Sequence, residues 1–190
     1  MCGIHGILNF KREKLDYDKF LSGLCSIQHR GPDDFGFVLI NTISKEQKQK
    51  ESIMTDKNAK LCQPNLHLNV SGNFDLVLGQ CRFAINDLSV AGHQPMFNED
   101  GSICIIFNGE ILNYKELRKE LSKTHKFKSE SDTEVIIHGY EEWGIDALCQ
   151  RMTGFWAFAI YDSHQNKLIC SRDRFGLKPF FYHFNDTNFI

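Results

Sequence analysis

Gly154-Phe155-Trp156-Ala157-Phe158-Ala159-Ile160-Tyr161-Asp162, then Ser163-His164-Gln165-Asn166, then Lys167-Leu168-Ile169-Cys170-Ser171-Arg172: this stretch decides the fold. Two runs rich in aromatic and β-branched residues flank a short polar turn, which is the signature of a hairpin. A hairpin is antiparallel, because a turn this short cannot carry the chain over to a parallel neighbour. Upstream, Gly101 marks a turn, and residues 102–107 form a buried apolar strand. Asn113-x-x-Glu116 has the form of a capping box, opening a helix with Tyr114, Leu117 and Leu121 on one face. Ser131-x-x-Glu134 caps a second helix, with Ile136, Tyr140 and Trp143 inward and a stop near Gly144.

The N-terminal part reads similarly. Residues 2–10 form a strand, and residues 16–28 a helix with Phe20, Leu21, Leu24, Cys25 and Ile27 toward a core. Gly31-Pro32-Asp33-Asp34 is a turn, and residues 35–40 a strand. Residues 41–65 are a polar surface insertion. Strands follow at 66–70 and 74–81, around Ser71-Gly72-Asn73, and a last strand covers 180–184. Helices do not alternate regularly with strands, so the class expected is α+β with antiparallel sheets, not a parallel doubly wound sheet.

Composition limits the function. The chain has 190 residues, 42% of them hydrophobic, enough for a sizeable core. A net charge of −2 argues against a nucleic-acid or membrane-surface binder, since both need clustered positive charge. No run of about 20 apolar residues is present to span a bilayer. The N-terminus does not read as a secretory signal, so a cytoplasmic protein with reduced thiols is expected; its seven cysteines include no C-x-x-C pair. The eight histidines show no metal-binding spacing, and no metal is expected.

The candidate chemistry begins at Cys2. Removal of Met1 would leave Cys2 with a thiol and a free α-amine on one residue. The reference pKa values are about 7.7–8.0 for the amine and about 8.5 for the thiol, so a near-neutral base lies beside a strong nucleophile. With Met1 retained that base is lost, because a peptide nitrogen's lone pair is delocalised. Taken alone, Cys2 is better explained as a small buried residue that happens to stand second. Asn108-Gly109-Glu110 follows the 102–107 strand. Asn108 through its amide and Gly109 through its backbone N–H can supply the two donors that a tetrahedral oxyanion needs, although taken alone Asn-Gly reads first as a plain turn. Arg82 suits a carboxylate as a bidentate donor, and Asp132 and Glu110 suit an ammonium, so together they can select a free amino acid. The bland readings are a structural ion pair for Arg82 and a helix-start acid for Asp132.

These segments occur together and in order, and the chain resembles the glutaminase domain of class II, N-terminal-nucleophile glutamine amidotransferases, most closely that of glutamine-dependent asparagine synthetases. The resemblance rests on Met1-Cys2-Gly3-Ile4, His29-Arg30-Gly31-Pro32-Asp33-Asp34, residues 82–87, Gly92-His93-Gln94-Pro95-Met96 and Phe107-Asn108-Gly109-Glu110-Ile111. It continues through Asn113-Tyr114, residues 131–136, residues 154–160 and Arg172-Asp173-Arg174-Phe175-Gly176-Leu177-Lys178-Pro179. It implies one domain over residues 1–190 and a four-layer αββα sandwich of two antiparallel sheets, the Ntn-hydrolase fold. It implies that Cys2 attacks the side-chain amide of L-glutamine, with Asn108 and Gly109 holding the oxyanion. It further implies Arg82 on the α-carboxylate, Asp132 and Glu110 on the α-amine, and Arg82, Phe83, Ala84, Ile85 and Asn86 as a strand lining the pocket. Arg30 to Asp34 would order a loop over the site.

The partner implied is a synthetase domain or subunit absent from this chain; the resemblance also allows a homo-oligomer. ATP and magnesium are expected only in that module, since no Ser-Gly-Gly-x-Asp-Ser segment occurs here. Gln80, Cys81, Phe83, Leu112 and Trp156 depart from the family pattern, and Phe83 narrows the pocket. Two other readings stay open. One is a glutaminase domain serving a different acceptor, such as a sugar or another carboxylate; the other is an inactive regulatory module.

Overall fold

A computed structural model describes residues 1–51 and 71–190. The chain divides into two compact units, residues 1–83 with 181–190, and residues 84–180.

The first unit is a five-stranded sheet in the order β3-β2-β4-β1-β9. Its strands are β1 (Gly3–Asn9), β2 (Asp34–Ile40), β3 (Gln47–Glu51), β4 (Leu76–Arg82) and β9 (Asn188–Phe189), and every pairing is antiparallel. The register puts Gly3 opposite Cys81 and Asp34 opposite Arg82. Helix α1 (Tyr17–Ser26) starts at Asp16, whose side chain accepts from Lys19 N–H. It lays Phe20, Leu21 and Leu24 on Ile7, Phe37, Leu39 and Val77 of one sheet face. Burial of such side chains contributes about 1.5–3 kcal/mol each, and this face therefore fixes the register.

The second unit is a four-stranded antiparallel sheet, β5-β6-β7-β8. Its strands are β5 (Met96–Phe97), β6 (Ile103–Ile111), β7 (Gly154–Asp162) and β8 (Lys167–Arg172). Helices α2 (Tyr114–Leu121) and α3 (Asp132–Arg151) cover one face. Leu117, Ile136, Tyr140 and Leu148 pack there with Ile103, Ile105, Phe107, Phe158 and Ile160. The β7–β8 hairpin has the expected bounds. Helix α3 kinks at Gly144 (φ 73°, ψ 171°), where a stop was expected.

Each unit thus stacks helix on antiparallel sheet, in keeping with the α+β expectation. Several local expectations change. Part of the 41–65 insertion is strand β3, which pairs with β2; residues 52–65 and the strand expected at 66–70 lie outside the described residues. The strand expected at 180–184 is instead β9, with Phe184 in one isolated bridge to Phe189. Asn113 makes no capping bond; its carboxamide instead ties Arg151 O and Thr153 N–H. Ser131 caps α3 as expected, but Glu134 accepts from Lys128 and Ser129 and does not close a capping box. Cys25, expected as a reduced thiol, is disulfide-bonded. Among the described residues no helix is long and apolar enough to cross a membrane.

Candidate active site

Cys2 directly precedes β1 in the first unit. Its Sγ lies 3.4 Å from the Phe83 N–H, which donates to it, and 3.7 Å from the Phe83 carbonyl oxygen. Arg30 Nε donates to the Cys2 carbonyl at 3.2 Å. The β1–β4 register produces this meeting: Gly3 stands opposite Cys81, so the residue before β1 reaches the residue just beyond β4. Arg82 ends β4, is only 4% exposed, and accepts through its carbonyl from Asp33 N–H at 3.1 Å. Residues 30–34 lie close against that strand end. A Cβ on Gly31 would collide with the Cys81 carbonyl, so only glycine fits there.

The remaining candidates belong to the second unit. Asn108, Gly109 and Glu110, expected just beyond the strand, instead lie inside β6, opposite Ala157, Trp156 and Phe155 of β7. This correction explains their use. Strand β5 pairs with β6 only at Cys104 and Ile105, which leaves the rest of that β6 edge without a strand partner. Antiparallel geometry turns alternate N–H groups to opposite edges. Phe107 N–H takes Gln94 Oε1 at 2.7 Å on this edge, and Ile111 N–H takes Asp132 Oδ2 at 2.9 Å. Gly109 N–H projects from the same edge, midway between them, and takes no partner among the described residues. A Cβ at Gly109 would strike the Phe155 carbonyl and the Phe107 ring, so glycine is required. Asn108, 4% exposed, lies on the sheet face opposite the helices, and its carboxamide makes no hydrogen bond among the described residues. Two adjacent residues of one rigid strand therefore carry uncommitted N–H donors.

Asp132 is the first residue of α3 and is 5% exposed. Burial pushes its carboxyl above the usual range; hydrogen bonds from Ile111 N–H and Asn86 pull it down, and the neighbouring Glu110 pushes it up again. The expected strand over residues 82–86 ends at Arg82, and Phe83 onward is irregular. Asp87 anchors the irregular segment: it accepts from Ser89 N–H and from Glu130 N–H, so Ala84, Ile85 and Asn86 lead to the start of α3. Phe83 and Ile85 are exposed.

Sequence reasoning assigned no role to Gln94. It is buried, accepts from Phe107 N–H and donates to the Thr133 hydroxyl at 3.1 Å, tying the open edge of β6 to the start of α3. Its place in the Gly92-His93-Gln94-Pro95-Met96 segment singles it out, but its role does not follow from that, because both partners are distant in sequence.

The described residues thus hold a thiol against a peptide group in one unit. In the other they hold an open pair of N–H donors and a buried acid. A family model for the glutamine amidotransferase domain matches residues 40–190. The putative asparagine synthetase [glutamine-hydrolyzing] 2 of Methanocaldococcus jannaschii is 34% identical over 100% of this chain and 33% of its own length. Asparagine synthetase [glutamine-hydrolyzing] 2 of Bacillus subtilis is 38% identical over 96% of the chain and 20% of its own length. The chain therefore spans a fifth to a third of these relatives. Among solved structures, the glutamine phosphoribosylpyrophosphate amidotransferase of B. subtilis matches the whole chain and 41% of its own, with a TM-score of 0.73 at 22% identity. That likeness shows the fold. With the thiol, the donor pair and the family match in hand, the chain belongs to the glutamine amidotransferase domain family.

Proposed function

We propose that this chain hydrolyses the side-chain amide of L-glutamine to glutamate and ammonia through a Cys2 thioester, and that the ammonia serves an ATP-dependent synthetase module, with asparagine as the product. In this reading Met1 is removed. The freed α-amine takes the thiol proton, directly or through a water, as Cys2 Sγ attacks the amide carbon. The carbonyl oxygen becomes an oxyanion received by Asn108 Nδ2 and Gly109 N–H. Collapse of the tetrahedral intermediate breaks the C–N bond, and the amine returns its proton to the departing ammonia. Water then cleaves the thioester. Arg82 holds the α-carboxylate, and Asp132 with Glu110 holds the α-ammonium, which gives the site its preference for a free amino acid. Phe83, Ala84, Ile85 and Asn86 line the substrate.

The observation that carries this reading is the Gly109 N–H left open between two satisfied N–H groups on the β6 edge. A donor left without a partner on a rigid strand is pre-organised for charge that develops only during reaction. The synthetase assignment is supported by the relatives' names. ATP and magnesium belong to that module, and its need for ATP supports a cytoplasmic setting. The acceptor could instead be a sugar or another carboxylate, which the same glutaminase chemistry would serve.

The test is glutamate release from glutamine by the purified chain, alongside its intact mass. Met1 should be absent, and Cys2→Ala should abolish release while leaving the circular dichroism spectrum unchanged. Undiminished hydrolysis in Cys2→Ala, or full activity in chains that retain Met1, would refute the mechanism.

A further inference from the structure

A second cluster of reactive groups lies in the second unit, around helix α3. His138 and Glu141 are one turn apart on that helix, and His125 comes from the connection that follows α2. One donor atom from each of the three lies within 4.8 Å of the others. The orientation is ordered. Both Nδ1 atoms face the Glu141 carboxylate, at 3.0 Å from His138 and 3.8 Å from His125. A tetrahedral ion with bonds of about 2.1 Å separates its ligand atoms by roughly 3.4 Å; the two nitrogen–oxygen distances bracket that value, and the set as a whole, spanning 4.8 Å, closes inward when it takes the ion.

The other ring nitrogens face different carboxylates. His125 Nε2 meets Glu142 at 3.1 Å. His138 Nε2 lies 3.6 Å from Glu134 and 3.7 Å from Glu99. His138 is 1% exposed, and this Nε2 is buried with no hydrogen-bond partner. Metal-bound imidazoles turn one nitrogen to the ion and the other to an outer carboxylate that fixes the tautomer; His125 Nε2 already meets one at hydrogen-bond distance, and His138 Nε2 faces two just beyond it. Four carboxylates around two imidazoles also supply the negative charge that a divalent cation neutralises. The two rings stack at 4.6 Å, and Phe127 packs edge-on against His138, so the histidines are held in place.

We propose that His125 Nδ1, His138 Nδ1 and Glu141 Oε2 form a site for a zinc-class divalent ion, with water as fourth ligand, which staples the connection at residues 122–130 to α3. The donor set of two imidazoles and one carboxylate selects a borderline transition ion over magnesium or calcium, which prefer oxygen alone. The fixed connection carries Lys128 and Ser129, whose N–H groups hold Glu134 at 2.8 Å near the start of the helix.

The test uses the purified chain, stripped with a chelator and titrated with Co(II) by absorption and Zn(II) by calorimetry. Expected are one equivalent of either ion, a cobalt spectrum without intense near-ultraviolet thiolate bands, and a higher melting temperature with zinc. His125→Ala and Glu141→Gln, neither of them fully buried, should fold and bind at least about tenfold more weakly, with the zinc-dependent gain in melting temperature lost. Cys2→Ala should bind unchanged, which separates this site from the proposed hydrolysis. The proposal is overturned by the absence of saturable binding, by unaltered affinity in both variants, or by thiolate bands that vanish in Cys2→Ala. In any of those cases His138 is instead a buried imidazolium held by the surrounding carboxylates.

Discussion

At the scale of single residues, Asp132 sets its proposed role in substrate binding against stability. Its carboxyl is pushed up because α3 begins inside the protein and takes the group out of water. A raised acid binds its proton more tightly folded than unfolded. It therefore contributes a stability loss that sets in as pH climbs through the unfolded carboxylate range of about 3.9 and is complete above the folded value. Asp132→Asn should accordingly melt higher than the parent at neutral pH, with the difference vanishing below about pH 3, as read by thermal scans across pH. The same variant should raise the KM for glutamine by about 30-fold or more if Asp132 is, as proposed, the buried partner of the α-ammonium. In the parent, KM should climb as pH falls toward the raised range. An unchanged KM would remove Asp132 from the substrate site. Gly109→Ala tests the neighbouring feature. Its methyl group meets the Phe155 carbonyl, so kcat should fall by about 100-fold as the donor shifts, with a stability loss of roughly 1–3 kcal/mol in denaturant melts.

At the scale of elements, the open edge of β6 is held in place by two side chains. Gln94 satisfies Phe107 N–H and Asp132 satisfies Ile111 N–H. Gln94→Ala would strand a buried N–H and loosen the edge from Thr133. It should cost about 1–3 kcal/mol and lower kcat more than it raises KM. A variant with unaltered kcat would show that the edge needs no such support. This element also marks how far local reading reaches. Cys2, Asn108 and Asp132 become candidates only when residue type is joined to the family resemblance, while the β7–β8 hairpin follows from alternation and turn chemistry alone. The length of β6 could not. Asn-Gly is a strong turn signal, and here pairing with β7 over the full strand overrides it. The direction of the Gly109 N–H follows only from the register. The roles of Gln94 and of the His125, His138 and Glu141 cluster need distant segments to meet, which spacing along the chain does not reveal.

At the scale of the whole molecule, the fold begins one residue after the proposed nucleophile, and this separates folding from catalysis. The β1 ladder starts at Gly3, paired with Cys81, and Met1 before it is exposed. Extra residues ahead of Cys2 therefore leave the strand register, the α1 core and the second unit intact. They do remove the α-amine, because the Cys2 nitrogen becomes a peptide nitrogen that cannot accept a proton. General-base assistance typically contributes 10²–10⁴-fold in rate. A chain with an uncleavable N-terminal extension should thus melt within a degree or so of the mature protein, yet release glutamate at least about 100-fold more slowly. Cutting the extension with a protease that leaves Cys2 first should restore the rate. If the extended chain hydrolyses glutamine at the mature rate, the proton acceptor is another group and the α-amine has no part in the reaction. If it fails to fold, the terminus is tied into the sheet more deeply than the Gly3–Cys81 pairing implies.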